Sequence, residues 1–357
     1  MKNLVAVEGP DAVKGSGLRD GFGRVRGGGL RAGGLAVACV VLLGAVLLSL
    51  VAGNQWFGPH DVFVAAADFT GSDTDRVIRY LRFPRTAVGL LAGAALGLAG
   101  AVMQGITRNP LADPGILGVN AGAALAVVAA IGLLGIQSLT GYVWFAMGGA
   151  LVATVVVYLV GSVGRGGATP VKLALAGAAL SALLGSVTSA ITLLDLSTLN
   201  EFRFWVVGSL TLATSAIVAQ ALPFIAVGIV LALALGRSLN QLALGEDLAA
   251  TLGTRIWVVR LLAALAVMLL AGTATAMAGP IAFVGLAVPH VARALVGADY
   301  RWILPYSLVL APTVLLLADV TGRLVARPDE LQVGIITALI GAPLFIALVR
   351  RRKLAEL

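Results

Sequence analysis

Charged residues make up only 12% of this 357-residue sequence and aromatic residues only 6%, whereas hydrophobic residues make up 59%. Soluble globular domains carry roughly 25% charged residues, so that class is excluded. The single cysteine, Cys39, cannot form an internal disulfide, and we expect it to be a small core residue. With only two histidines beside it, the sequence predicts no metal centre, and no nucleophile–base pair or phosphate-binding lysine motif points to catalysis.

Long uncharged apolar runs are abundant instead, and the mean hydropathy is +1.00. Crossing ~30 Å of hydrocarbon takes roughly 20 residues of helix, and only helices or closed barrels satisfy their own backbone there. The runs are too long and too unalternating for barrel strands, so we predict an all-α membrane protein with about ten transmembrane helices. The predicted spans are 33–53, 86–106, two within 115–163, 173–194, 213–236 after a turn at 204–210, two within 256–292 divided at 278–280, 302–322 and 331–349.

Lysine and arginine indicate the orientation, because they are enriched in cytoplasmic loops. With both ends in the cytoplasm, most of the 25 lysines and arginines fall on the inside, so this topology is preferred. The net charge of +8 then reflects orientation and attraction to anionic lipid, and it is not evidence for nucleic acid. We predict a disordered cytosolic tail over 1–32, a transmembrane domain over 33–352 and a second cytosolic tail over 353–357.

Glycines recur at intervals of four in the second predicted span, as Gly89, Gly93 and Gly97. Small residues at this spacing let helix backbones approach closely in lipid. Tight packing of the bundle is the expected role, and a pore lined by small residues is the alternative.

The longest predicted cytosolic loop, 237–255, contains the sequence GEDLAATLG, from Gly245 to Gly253. Acidic residues suit the first turn of a helix, and Gly253 suits the position just past its end. A helix of about two turns is not stable alone in water, so it must dock on something. The loop therefore predicts a docking surface for a cytosolic partner, with a solvated loop as the alternative.

A few charged residues are predicted at the outer ends of helices. Arg82 and Arg85 stand before the second helix, and Arg323 and Arg327 follow the ninth. Each could anchor a helix end at the interface, but a ring of guanidinium groups also suits carboxylates on a ligand or partner protein. Asp319 is the clearest candidate for a functional charge within the membrane, and pairing with Arg323, four residues on, is its alternative.

Four stretches of the sequence resemble one known family. They are RFPRTAVGLLAGAALGLAGAVMQGITRNPLADPGILGVNAGA, LALGEDLAATLG, AGPIAFVGLAVPHVAR and LQVGIITALIGAPLFIALVRR, in this order. They resemble the FecCD-type permeases, the membrane subunits of ABC importers for iron–siderophores, cobalamin and haem. The resemblance runs from about Leu35 to Arg352.

The resemblance implies the type II ABC importer permease fold, in which two ten-helix subunits surround a central pathway, with ATPases below and a substrate-binding protein above. It implies alternating access driven by the ATPase, with no chemistry in this chain. It assigns docking of the binding protein to Arg82, Arg85 and Arg323; coupling to the ATPase to Gly245, Glu246, Asp247, Leu248, Ala249 and Gly253; and the cytoplasmic gate to Asn109, Leu111, Thr169 and Pro170. At Thr169 and Pro170 the cobalamin permease has a polar pair, so the two sequences differ there.

The expected cargo is a ferric siderophore, and cobalamin and haem are alternatives within the family. The expected partners are a cytosolic ABC ATPase, which would hold ATP and Mg, an extracytoplasmic substrate-binding protein that is soluble or a lipoprotein, a second permease subunit and membrane lipid. No cofactor or metal is expected on this chain. Two other classes stay open: an ion-coupled secondary transporter using Asp319, and an intramembrane enzyme using His290.

Overall fold

The computed structural model describes residues 28–136, 138–164 and 169–351. Regular structure in these ranges is helical throughout. The α-helices are α1 Gly28–Val51, α2 Pro59–Ala67, α3 Asp73–Val77, α4 Phe83–Thr107, α5 Val119–Leu134, α6 Leu139–Ser162, α7 Pro170–Leu194, α8 Leu196–Val206, α9 Ser215–Ala234, α10 Gly236–Ala243, α11 Glu246–Thr251, α12 Ile256–Val267, α13 Thr273–Ala278, α14 Val284–Val296, α15 Tyr300–Val325 and α16 Val333–Arg351.

The number of predicted crossings agrees with the structure. In the described ranges, 7 helices are long and apolar enough to cross a membrane, and shorter apolar helices cover Val119–Leu134, Val284–Val296 and Val333–Pro343. Two of the long helices are continued through wider π-type turns, at Ile78–Arg82 and Met268–Gly272, so α3 runs on into α4 and α12 into α13. The prediction of about ten transmembrane helices is confirmed.

Two boundaries differ from the prediction. Helix α1 begins at Gly28, so residues 28–32 are helical and do not belong to a disordered tail. The disorder predicted for residues 1–27 and the cytosolic tail predicted at 353–357 concern residues outside the described ranges. The turn predicted at 204–210 begins within α8, an amphipathic helix that the apolar-run analysis missed because it is short and carries polar residues.

Local sequence signals determine where several helices begin and end. Helix α7 begins where the Thr169 hydroxyl accepts a hydrogen bond from the Lys172 amide at 3.4 Å, with Pro170 in the first turn. Helix α5 ends at Gly135, whose φ of 66° is costly for other residues. Gly135 therefore ends the third predicted span and separates it from the fourth.

Helix α4 lies at the centre of the bundle, and glycines let its neighbours approach. A Cβ placed on Gly93 would lie 2.4 Å from Pro312 Cα, and one on Gly97 would lie 2.5 Å from Ala311 Cβ. On the next turn, a Cβ on Gly100 would lie 1.8 Å from the Gly285 carbonyl oxygen. Helices α14 and α15 thus pack directly on the α4 backbone, which confirms the tight packing predicted for this stripe.

Replacing Gly100 with alanine is expected to destabilise the bundle. The added methyl would overlap the backbone of α14, and such overpacking costs about 1–3 kcal/mol. Gly44→Ala is the matched control, because no atom lies within 4 Å of a Cβ at that position of α1. Thermal unfolding of the detergent-solubilised protein measures both changes, and equal midpoints for the two variants would contradict the contact.

The outer faces of α1 and α7 are the least covered. Only 17% of the apolar window of α1 and 11% of that of α7 are buried within the chain. Cys39 lies on the uncovered face of α1 and is exposed, so the expectation that it is a core residue is wrong. The reason is physical: apolar residues in a membrane helix are equally satisfied by lipid, so hydrophobicity alone does not place a residue in the core.

Candidate functional site

The fold sorts the predicted site residues to two opposite ends of the bundle. The end of α1, the start of α4 and the end of α15 meet at what we call the arginine end, which contains Arg82, Arg85 and Arg323. The opposite end, which we call the coupling end, contains the segment Gly245–Gly253. There Glu246 lies near Arg108, which follows the last residue of α4.

Arg323 is almost fully buried at the arginine end, with 1% of its side chain exposed. Its Nη1 donates to the carbonyl oxygens of Ser49, in the last turn of α1, at 3.0 Å and of Ala52, the residue after α1, at 2.7 Å. Its Nη2 lies 3.1 Å from Asp319 Oδ2. A cation at a helix C-terminus satisfies orphan carbonyl groups, so Arg323 fixes α1 to α15.

Arg85 joins two carboxylates that are distant in the sequence. Its Nη2 donates to Asp319 Oδ1 at 2.8 Å, and its Nη1 donates to Glu330 Oε2 at 2.6 Å. Asp319 therefore lies between Arg85 and Arg323, with 1% of its side chain exposed. The pairing of Asp319 with Arg323 is confirmed, and Arg85 is an additional partner that the spacing of four residues could not reveal.

Arg82 is also held within the chain. It donates to the carbonyl oxygen of Ala52 and, at 3.1 Å, to that of Gln55, and its guanidinium lies over the ring of Phe57. A cavity of about 370 Å³ opens beside it and is lined by Arg82, Arg85 and Glu330 among others. In this conformation the three predicted docking arginines are therefore engaged internally, and Arg82 and Arg85 also line an open space. Their role toward a binding protein stays a prediction.

The predicted gate residues fall into two local turns at the ends of helices. Arg108 closes α4 with a φ of 51°, and the Leu111 amide then donates to Asn109 Oδ1 at 2.9 Å. Thr169 and Pro170 start α7, as described above. Helix α7 packs on the short turn Pro114–Leu117, where a Cβ on Gly177 would lie 1.7 Å from the Ile116 carbonyl oxygen. The chain that follows Asn109 and Leu111 therefore packs against the helix that Thr169 and Pro170 begin.

Asp113 was not singled out from the sequence, although it lies in the RNPLADPG stretch. Its carboxylate accepts a hydrogen bond from the Gly115 amide at 2.8 Å and starts the turn Pro114–Leu117. Burial raises the pKa of this carboxyl above its usual value, against the opposing effect of the Gly115 hydrogen bond. Asp113 therefore fixes the connection between the turn after α4 and helix α5.

The coupling segment, which we define as residues 236–253, consists of two short helices, α10 and α11, separated by Gly245 with a φ of 108°. Helix α11 ends in the arrangement that the sequence predicted, since Gly253 has a φ of 83° and donates to the Ala250 carbonyl at 3.0 Å. The next amide, of Thr254, donates to the Ala249 carbonyl at 3.0 Å. These two bonds define a Schellman motif and stop the helix after two turns.

Side-chain contacts brace the coupling segment against the transmembrane helices. Asn240 on α10 donates to Asp299 Oδ1 at 2.6 Å and accepts from the Tyr300 amide at 2.8 Å. The Arg301 guanidinium, bonded to Asp299, holds the pKa of that carboxyl at about 2, so it is ionised at neutral pH. On the other side, Arg260 lies 2.7 Å from Glu246 Oε1. The segment is therefore ordered by its own chain rather than left as a solvated loop.

Three leucines of the coupling segment remain uncovered. Leu244, Leu248 and Leu252 are 61%, 56% and 58% exposed, whereas Ala249 is fully buried. These three leucines lie outside the long apolar helices. Their exposure to water is therefore unfavourable. The segment therefore presents an apolar contact surface built on a braced support.

A bundle of apolar helices with a braced, leucine-bearing segment at one end and a charge network at the other defines a multi-pass membrane protein with an apolar contact surface. The chain belongs to the FecCD transport family, whose model matches residues 41–351. This family is one of ABC transporter permeases and not of enzymes.

Two curated proteins illustrate the relationship. The chain is 47% identical over 314 residues to the ferric enterobactin transport system permease protein FepD of Escherichia coli (strain K12), covering 88% of this chain and 93% of that protein. It is 40% identical over 313 residues to the cobalamin import system permease protein BtuC of Halobacterium salinarum, covering 85% of this chain and 82% of that protein.

A solved structure shares the fold. A protein described as a metal-chelate type ABC transporter in an inward-facing conformation superposes with a TM-score of 0.78 at 30% identity, over 90% of this chain and 100% of that chain. The predicted fold class and family are both confirmed.

Proposed function

We propose that this chain is the membrane-spanning subunit of an ATP-driven importer that carries ferric siderophores across the cytoplasmic membrane by alternating access. The observation that carries the proposal is the coupling segment, which exposes three leucines on a support held by Asn240 and Glu246. Such a surface requires a partner, and a cytosolic ABC ATPase that holds ATP and Mg meets that need in this family. The chain itself would supply the gates and no chemistry.

The arrangement of charges supports the orientation that goes with this function. The coupling end would face the cytoplasm, with both termini there, because this orientation places most of the 25 lysines and arginines on the cytoplasmic side. The arginine end would face outward, where a substrate-binding protein, soluble or a lipoprotein, docks on it. The uncovered faces of α1 and α7 would contact lipid and a second permease subunit, identical or paralogous.

The ferric siderophore is favoured as cargo by the identity with the enterobactin permease, which exceeds that with the cobalamin permease. Cobalamin is the second candidate, because 40% identity with a cobalamin permease over most of the chain also indicates a shared fold and pathway. An ion-coupled transporter is less well supported, because Asp319 is occupied in holding two arginines and the coupling segment would have no role.

Co-purification in mild detergent tests the proposal. The tagged wild-type chain, expressed with the ATPase and binding protein of its own organism, is expected to retain the ATPase. In proteoliposomes the complex should take up a ferric siderophore only when ATP is supplied, and iron-free siderophore and cobalamin serve as comparison cargoes. Uptake that proceeds without any ATPase would contradict the proposal. Preferential uptake of cobalamin would change the assigned cargo from a ferric siderophore to cobalamin.

A further inference from the structure

The side chain of Glu246 is 38% exposed and contacts arginines of its own chain, whereas the adjacent Asp247 on α11 is exposed. Its Oε1 atom lies 2.7 Å from Arg260 Nη2 and 3.9 Å from Arg108 Nη2, so one oxygen serves two cations. The next two residues, Asp247 and Leu248, are exposed on the same helix. The apolar surface available to an ATPase therefore consists of the exposed leucines, including Leu248, whereas Glu246 contacts arginines in and beside the membrane-spanning helices.

The two arginines belong to parts of the chain with different roles. Arg260 lies within α12, a helix of the bundle. Arg108 ends α4 in a left-handed conformation and directly precedes Asn109 and Leu111, the predicted gate residues. Glu246 therefore lies between helix α12 and the turn that carries the predicted gate residues.

There is room for this turn to move relative to the coupling segment. A cavity of about 270 Å³ separates them, and its lining includes Arg108 and Pro110 from the turn and Ala243 from α10. Arg293, which also lines this cavity, contacts the neutral groups of Gln104 and Tyr300 at 3.4 and 3.1 Å. A displaced Arg108 would therefore approach another cation, which favours its return to Glu246.

We propose that Glu246 is a positioning residue that transmits movement of α11 to the gate turn at 108–111 through Arg108. The close contact with Arg260 orients the carboxylate, and the longer contact with Arg108 lets the turn follow or release it when α11 is pushed. This inference rests on the proposed function, because it requires an ATPase to move α11. It assigns the push itself to the exposed leucines rather than to the acid.

The test uses the complete transporter, with the ATPase and binding protein, reconstituted in proteoliposomes. Glu246→Gln, Arg108→Gln and the double variant are compared with Glu201→Gln, a matched control that removes an exposed acid on α8, outside the segments assigned to the ATPase and to the gate. Each preparation is measured for bound ATPase, thermal midpoint, ATP hydrolysis and cargo imported per ATP. The last ratio distinguishes transmission from folding, because a merely structural loss lowers hydrolysis and uptake together.

The expected result is that Glu246→Gln and Arg108→Gln keep the ATPase and hydrolyse ATP, while cargo imported per ATP falls by about threefold, as expected for the loss of one partly exposed ion pair. The double variant should be no worse than either single variant, because both remove the same link. The control should behave as wild type.

Three results would overturn the inference: loss of the ATPase from Glu246→Gln, a ratio equal to that of the control, or a double variant whose loss is the product of the single losses. A wild-type chain that retains no ATPase is a different outcome, since it rejects the proposed function and the link together.

Discussion

Replacing Leu248 with aspartate is expected to detach the ATPase and stop uptake. Leu248 is 56% exposed on a helix whose buried side, at Ala249, is packed against the chain, so the change leaves the fold of the segment intact. A central apolar contact of an interface costs about 2 kcal/mol or more when lost, which weakens binding by roughly thirtyfold. Aspartate adds the cost of desolvating a charge. Co-purification of the ATPase and its affinity for the permease in nanodiscs measure the effect.

Leu248→Met is the matched control, since methionine keeps the volume and the apolar character of the side chain. It should retain the ATPase and most of the uptake. If the aspartate variant binds the ATPase as tightly as wild type, the leucines are not the contact surface, and the coupling segment has been assigned the wrong role.

Replacing Asp319 with asparagine is expected to destabilise the arginine end strongly. Asp319 is the only carboxylate within 4.0 Å of Arg323 among the described residues, and both side chains are 1% exposed. Removing one partner of a buried ion pair leaves an uncompensated charge and costs about 3–5 kcal/mol. The α1–α15 contact through Ser49 and Ala52 should weaken with it. A lower thermal midpoint and a lower yield of folded protein in detergent measure this effect.

Glu330→Gln provides the comparison, because Glu330 contacts the same Arg85 but is 28% exposed. Water screens such a pair, so the change should cost much less, about 1 kcal/mol or below. An Asp319→Asn protein that folds as well as wild type but loses uptake that depends on a proton gradient would instead support the secondary transporter.

The coupling segment was the part of the site most visible in the sequence. Gly245 and Gly253 mark the limits of a helix through their backbone freedom, and Glu246 and Asp247 suit its first turn, all within nine consecutive residues. The local rule gave the correct limits, and the structure has α11 at Glu246–Thr251. The same rule could not show which way each side chain faces, because Arg108 and Arg260 reach Glu246 from other helices.

The arginine end was visible only as a list of cations. Arg82, Arg85 and Arg323 looked like a ring open to a partner, whereas the structure engages all three within the chain. Glu330 was missed, because it is 245 residues from Arg85 in the sequence and no periodicity connects them. A family resemblance assigns roles to such positions, but it does not tell which charges are satisfied in a given conformation.

By itself the sequence determined the class of protein, the number of crossings and the limits of the coupling helix. These properties depend on segments of about 20 residues or fewer, whose hydrophobicity and turn residues act locally. Only the tertiary structure decided that Cys39 is uncovered, that Asp319 is shared by two arginines and that Glu246 lies near Arg108 after α4. In a membrane, lipid and protein satisfy an apolar face equally well, so polar contacts between distant helices, rather than hydrophobicity, decide which faces meet.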